Sequence, residues 1–199
     1  MTDPVRPPAR VGRPRRSSAE VLADAAAELF LERGYAGTTV DDVARRAGVS
    51  RGTFFNYFDS KADTFWVDVD RTLASVPQLL RSAGGATPLD EAAHALVAAA
   101  RAHDPAGVPW ALTQAETMRL GDDVVTSAAT RVVTAQRLVV GHLAARGWDG
   151  DGVRGAVAGA TLTTAAVAAF VAWSRSGVGR GPLVEVVAPS VTRVARALA

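Results

Sequence analysis

The sequence predicts an all-α protein, and three observations carry that expectation. Apolar residues recur at three- and four-residue spacing through almost the whole chain, and no stretch alternates apolar and polar residues as a half-buried strand would. Ser17, Thr39, Ser50 and Ser60 each stand before such a run, where helix N-caps belong. Glycine and proline punctuate the gaps, as at Gly34, Pro105, Gly121, Gly147 and Gly177. At 199 residues, 48% hydrophobic and 21% charged, the chain can bury a real core in one or two domains. It has no cysteine, which excludes disulfides, thiolate zinc sites and cysteine nucleophiles. The opening residues are proline- and arginine-rich rather than apolar, so a cytoplasmic location is expected.

Residues 1–15 are expected to form a flexible basic arm, with Arg6, Arg10, Arg13 and Arg15 opposed only by Asp3. A first helix follows Ser17 and Ser18, carries Val21, Leu22, Ala25, Ala26, Leu29 and Phe30 on one face, and stops at Arg33-Gly34. Thr39 opens a short second helix, with Asp42 as the acidic partner of a capping box and Val40, Val43 and Ala44 on the apolar face. Ala47-Gly48-Val49 makes a tight turn, and Ser50 caps a third helix through about Tyr57. Ser60 with Asp63 begins a fourth, which carries Phe65, Trp66, Val69 and Leu73. The small-residue segment from Ser82 to Pro88 marks a boundary. Beyond it, helical stretches are expected near 88–103, 107–119, 122–146, 151–176 and 182–198, with Pro189 kinking or splitting the last.

The segment "GVSRGTFFNYFDSK" (48–61) concentrates four aromatics within five positions. Phe54 and Phe58, four apart, share a face that can lock the third helix onto the first two. The second helix, the glycine turn and the third helix (39–58) then make a helix-turn-helix whose last helix suits the major groove. Arg51 can donate two hydrogen bonds to a guanine, Gly52 lets the backbone approach closely, and Thr53 can meet a thymine methyl or a phosphate. Phe55, Asn56 and Tyr57 cover the remaining outward faces, and Tyr57, Ser50, Thr39 and Lys61 are donors suited to phosphates.

"TTVDDVARRAGVSRGTFFNYFDSKAD" resembles the DNA-binding unit of the TetR/AcrR family of bacterial transcriptional regulators, and "AAELFLERGYAGTTV" extends the likeness into the first helix. The resemblance covers about residues 16–76. It implies DNA contacts at Thr39, Ser50, Arg51, Gly52, Thr53, Phe55, Asn56, Tyr57 and Lys61. Phe55 stands where the family usually has tyrosine, so a phosphate bond through that hydroxyl is lost. The arm around Arg13 and Arg15 resembles basic extensions that some members lay in the minor groove.

The same resemblance implies that residues 83–199 bind a small effector and form a homodimer. Trp110, Gln114, Met118, His142 and Phe170 are the pocket candidates, and their sparse polarity suits a mostly apolar effector. The run Gly155–Ser174 has no charge and contains a GxxxG match. Alanine gains little from lipid, so a packing helix is expected rather than a membrane span, with Gly155, Gly159, Ala165, Ala169 and Ala172 against its own copy. His94 and His103 read as surface or satisfied core positions. No metal or cofactor is implied. The reading is therefore a ligand-responsive repressor, homodimeric, on a palindromic operator of double-stranded DNA. Its alternatives are a constitutive DNA-binding regulator or, given no GxSxG, P-loop or HExxH motif, more remotely a helical enzyme retaining a DNA-binding head.

Overall fold

A computed structural model describes residues 18–148 and 152–199; the arm with Arg13 and Arg15, the cap at Ser17 and the expected helix start at 151 lie outside them. Within the described residues, ten α-helices and one 3-10 helix build the fold. Three helices come first: α1 (Ser18–Arg33) and the short α2 (Val40–Arg46) and α3 (Arg51–Phe55). The capping box forms as the residues dictate, since Asp42 N donates to Thr39 Oγ1 at 3.2 Å and Thr39 N to Asp42 Oδ2 at 3.1 Å. Gly48 takes φ +71°, the left-handed turn that lets α3 fold back across α2. α3 is shorter than expected because Tyr57 N bonds back only three residues, to Phe54 O. That tightening swings Phe58 beside Phe54, with ring centroids 5.4 Å apart.

A 3-10 helix (Lys61–Trp66) leads into α4 (Val67–Ser82), and α5 (Pro88–Ala102) packs back along it. The stretch expected as one helix over 107–119 is instead two single turns, α6 (Trp110–Thr113) and α7 (Ala115–Met118), broken at Gln114. Tertiary pull explains the break. Met118 is wholly buried in the N-terminal core, and its carbonyl accepts from Tyr35 N at 2.8 Å. Three long helices complete the chain: α8 (Asp122–Ala145), α9 (Val153–Ser174) and α10 (Val184–Leu198). Pro189 does not split α10. It sits on an exposed side, while Val187, Val191 and Ala195 face inward.

Among the described residues there are two apolar cores. Leu22, Leu29 and Phe30 of α1 meet Val43, Phe54, Phe58 and Phe65 in the first, which fixes α3 against α1 and α2. Leu89, Leu96, Val139, Leu162, Trp173 and Val191 are buried in the second, among α5, α8, α9 and α10. Burial of each such side chain is worth about 1.5–3 kcal/mol. α4 lies between the two and leads directly out of the first.

Candidate nucleic-acid interface and internal cavity

α3 presents a continuous outward face. Arg51, Gly52, Phe55, Asn56 and Tyr57 are exposed, whereas Phe54 on the opposite side is fully buried. A Cβ on Gly52 would meet only Ser50 Oγ, at 3.7 Å, so the backbone there is open to close approach. Arg51 Nη1 lies 3.0 Å from both Asp41 oxygens, and its guanidinium carbon is 5.2 Å from the Phe55 ring centroid. That ion pair is exposed on both sides and worth at most about 1 kcal/mol, so it aims the arginine without committing it. Phe55, in place of the tyrosine, is the ledge on which the arginine rests. Ser50 Oγ accepts from Thr53 N at 3.0 Å and shares one proton with Thr53 Oγ1 at 2.9 Å, which leaves the other hydroxyl proton for an outside acceptor. Thr39 has no such proton to spare, because its hydroxyl donates to Asp42 Oδ2 at 2.6 Å.

Lys61 differs most from its sequence reading. Its ammonium does not reach outward. It donates to Tyr35 O at 2.7 Å and Thr38 O at 2.9 Å, and sits 4.1 Å from the Tyr35 ring centroid. Burial pushes its pKa down, partly offset by Asp123. It ties the end of the first helix's loop to the 3-10 helix. Beside it, Asp63 caps Ser60 and also takes hydrogen bonds from Ser127 Oγ at 2.6 Å and Arg131 Nη1 at 3.0 Å. Burial opposes ionisation there, but the bonds from Ser127, Ser60 and Arg131 outweigh it and hold the carboxyl below its ordinary value. Arg131 further clamps Asp70 through Nε and Nη2, at 2.8 and 2.7 Å. One arginine of α8 thus joins the N-terminal unit to α4.

Behind that clamp lies a cavity of about 190 Å3 among α4, α5, α8 and α9. Val69, Val76, Leu96, Ala135 and Phe170 make its wall almost wholly apolar, with Trp66, Thr72, His103 and Arg131 at intervals. Of the five expected pocket residues, only Phe170 lies here. Trp110 is exposed on a separate surface cleft beside α1, and Gln114 is exposed where α6 ends. Met118 belongs to the N-terminal core, and His142 Nε2 pairs with Glu91 at 3.0 Å on another side of α5. His103, read as a surface or core position, is a wall residue, edge-on to Phe170 and Trp173 at 5.5 and 5.6 Å. The usable signal in the sequence was the stripe Trp66, Val69, Leu73, Val76, which runs straight along the wall.

The segment carrying α3 matches the family model described as bacterial regulatory proteins of the tetR family, over residues 22–65. That match lies within the N-terminal unit that carries the helix-turn-helix and covers no more of the chain. MftR of Mycobacterium tuberculosis, a transcriptional regulator named for mycofactocin biosynthesis, is 37% identical over 95 residues, 48% of each chain. DhaR of Mycobacterium sp. strain GP1, an HTH-type transcriptional repressor, is 38% identical over 61 residues, 27% of this chain and 31% of that one. The chain therefore spans about half the length of MftR and a third of DhaR. Among solved structures, FadR of Thermus thermophilus, a TetR-family repressor in complex with lauroyl-CoA, is similar with a TM-score of 0.56. That likeness covers 88% of this chain and 92% of FadR at 24% identity, and is one of fold.

Outside the matched segment, α9 has two distinct faces. Gly155 and Gly159, expected against a second copy, are buried within the chain, and a Cβ on Gly159 would lie 2.7 Å from Val140 Cγ2 of α8. Ala169 is buried on the same inner side with Leu162 and Trp173, and Ala165 is half-buried. Ala172 alone of the expected set is exposed; it continues an outer row through Val157, Thr161, Thr164 and Ala168. Among the described residues, α9 is also the helix long and apolar enough to cross a membrane.

Proposed function

We propose that this chain is a sequence-specific DNA-binding transcriptional repressor of the bacterial cytoplasm, released from a palindromic operator by a small, mostly apolar effector. The observation that carries the reading is the outward row Arg51, Gly52, Asn56 on a helix whose other face is locked into the core. Residues 16–76 form the reading unit, and 83–199 hold the effector and the dimer contact. Arg51 reads a guanine, Thr53 and Asn56 flank it, and Ser50 and Tyr57 hold phosphates. Lys61 supports the unit from inside, and Thr39 serves through its cap.

The cavity supports an effector role because α4, which forms one of its walls, leads directly from the reading unit. At about 190 Å3 it is small beside a molecule the size of lauroyl-CoA, with which FadR of Thermus thermophilus is in complex, so a compact effector is favoured. The outer row of α9, uncharged from Val157 to Ala172, supports a two-fold contact with a second copy rather than with lipid, since it is one face of a helix packed on α8 and α10. Anisotropy titration with duplexes from the DNA flanking its own gene tests the reading. Arg51→Ala should cost about 1–3 kcal/mol on the preferred duplex and little on random DNA. Equal loss on both would reduce Arg51 to a phosphate contact.

A further inference from the structure

Five residues of the cavity wall carry polar side-chain atoms: Trp66, Thr72, His103, Arg131 and Thr163; the others are Ala, Val, Leu or Phe. Each of the five is closed to a ligand. For a neutral ring, His103 Nε2 donates to Gly107 O at 3.0 Å, which leaves Nδ1 to accept from the Thr72 hydroxyl at 2.8 Å. That hydroxyl also lies 2.9 Å from Asp68 O, so its one proton stays within the protein. Thr163 Oγ1 donates to Gly159 O at 2.8 Å, inside its own helix. Arg131 places Nε and Nη2 on Asp70 and Nη1 on Asp63 and Ser127 O. Trp66 Nε1 is buried within the wall itself and presents no surface to the cavity.

A polar group that enters such a space gives up its hydrogen bonds to water and gains none. The loss is about tenfold or more in affinity for each group. A charge fares worse. The one charged wall residue, Arg131, already faces Asp63 and Asp70, and neither carboxylate belongs to the wall. Anion and cation alike therefore find no counter-ion. Water is no better an occupant, because a buried water needs two to four polar partners. Size sets the remaining limit. A dry apolar cavity of about 150 Å3 binds benzene, and this one is about 190 Å3.

We infer that the effector is a hydrocarbon: an uncharged molecule of about one alkyl-substituted ring, with no hydrogen-bonding group, selected by volume and shape alone. The inference rests on the cavity being the effector site, and it narrows a mostly apolar ligand to one without a polar atom. Thr72, His103 and Arg131 are then not ligand contacts of the polar kind. Their bonds are spent on the protein and hold the shape of the wall.

The test compares four compounds on the full chain with 13C-labelled Val and Leu methyls. Cumene, acetophenone and benzoate share a ring and nearly a shape but differ in polarity; 1,3,5-triisopropylbenzene is as apolar as cumene and much larger. Cumene should bind at least about tenfold tighter than acetophenone, benzoate should bind most weakly, and triisopropylbenzene should not bind. Cumene should shift the methyls of Val76, Leu96 and Val132 on the wall and leave those of Val125 and Val157, exposed elsewhere, unmoved. It should also weaken binding to the preferred DNA duplex about tenfold. Acetophenone or benzoate binding as tightly as cumene, or triisopropylbenzene binding equally, would overturn the inference while leaving a ligand site in place. If cumene moves the wall methyls without loosening DNA, or if no compound reaches them, the effector reading falls and the inference with it.

Discussion

Lys61 and His103 show how a side chain's neighbours, rather than its type, set its role. Lys61→Met should lower unfolding free energy by about 1–3 kcal/mol, because two carbonyls lose a charged donor in a part-buried place. The salt dependence of DNA binding should keep its slope; a slope reduced by about one per subunit would return Lys61 to the phosphates. His103 has a different signature. Burial holds its imidazole below the ordinary histidine value, against the pull of Gly107 O, Asp68 and Asp104 and with a contribution from Arg71. The folded state therefore favours the neutral ring. Stability from this source is present above about pH 6.5 and is lost as pH falls through the lowered folded value. The stability advantage of the parent over His103→Gln should shrink between about pH 7 and pH 5. A pH-independent difference in urea midpoints would contradict it.

At the scale of elements, α9 separates two kinds of small residue that composition alone makes look alike. Gly159→Ala should cost about 1–3 kcal/mol, since its Cβ would meet Val140 Cγ2 at 2.7 Å and the Val140 backbone at 3.2 Å. Ala168→Arg, on the outer row, should instead keep helix content and yield a monomer in light scattering. A dimer that survives Ala168→Arg would move the contact elsewhere. The faces of α9 were illegible in the sequence because alanine, glycine and threonine occupy both sides, leaving the helical period without contrast. The caps were legible, because Thr39 with Asp42 and Ser60 with Asp63 carry their own local chemistry. So was the buried pair Phe54 and Phe58. The cavity was not, since a wall residue and a core residue share the same apolar stripe, and only the packing of α5, α8 and α9 leaves space beside Phe170 and His103. The break at Gln114 was hidden for a related reason: it is set by Met118, bonded through its carbonyl to Tyr35, more than eighty residues earlier in the chain.

For the whole molecule, the tie between reading unit and helical body combines the Arg131 ion pairs, hydrogen bonds of Tyr35 and the burial of Met118 and Val124 in the N-terminal core. Arg131 links α8 to Asp63 and Asp70, Tyr35 OH donates to Asp123 Oδ2, and Tyr35 N donates to Met118 O. An occupant of the cavity touches this set directly, because Arg131 and Trp66 belong to its wall. The central claim is that two copies joined through α9 present two α3 helices to successive major grooves of one operator. Selection of bound sequences from a random duplex pool by the purified full chain tests it most directly. The account expects an inverted repeat with half-sites about one helical turn apart, centre to centre, or a multiple of it. Enrichment of an isolated half-site, or of no sequence at all, would contradict it.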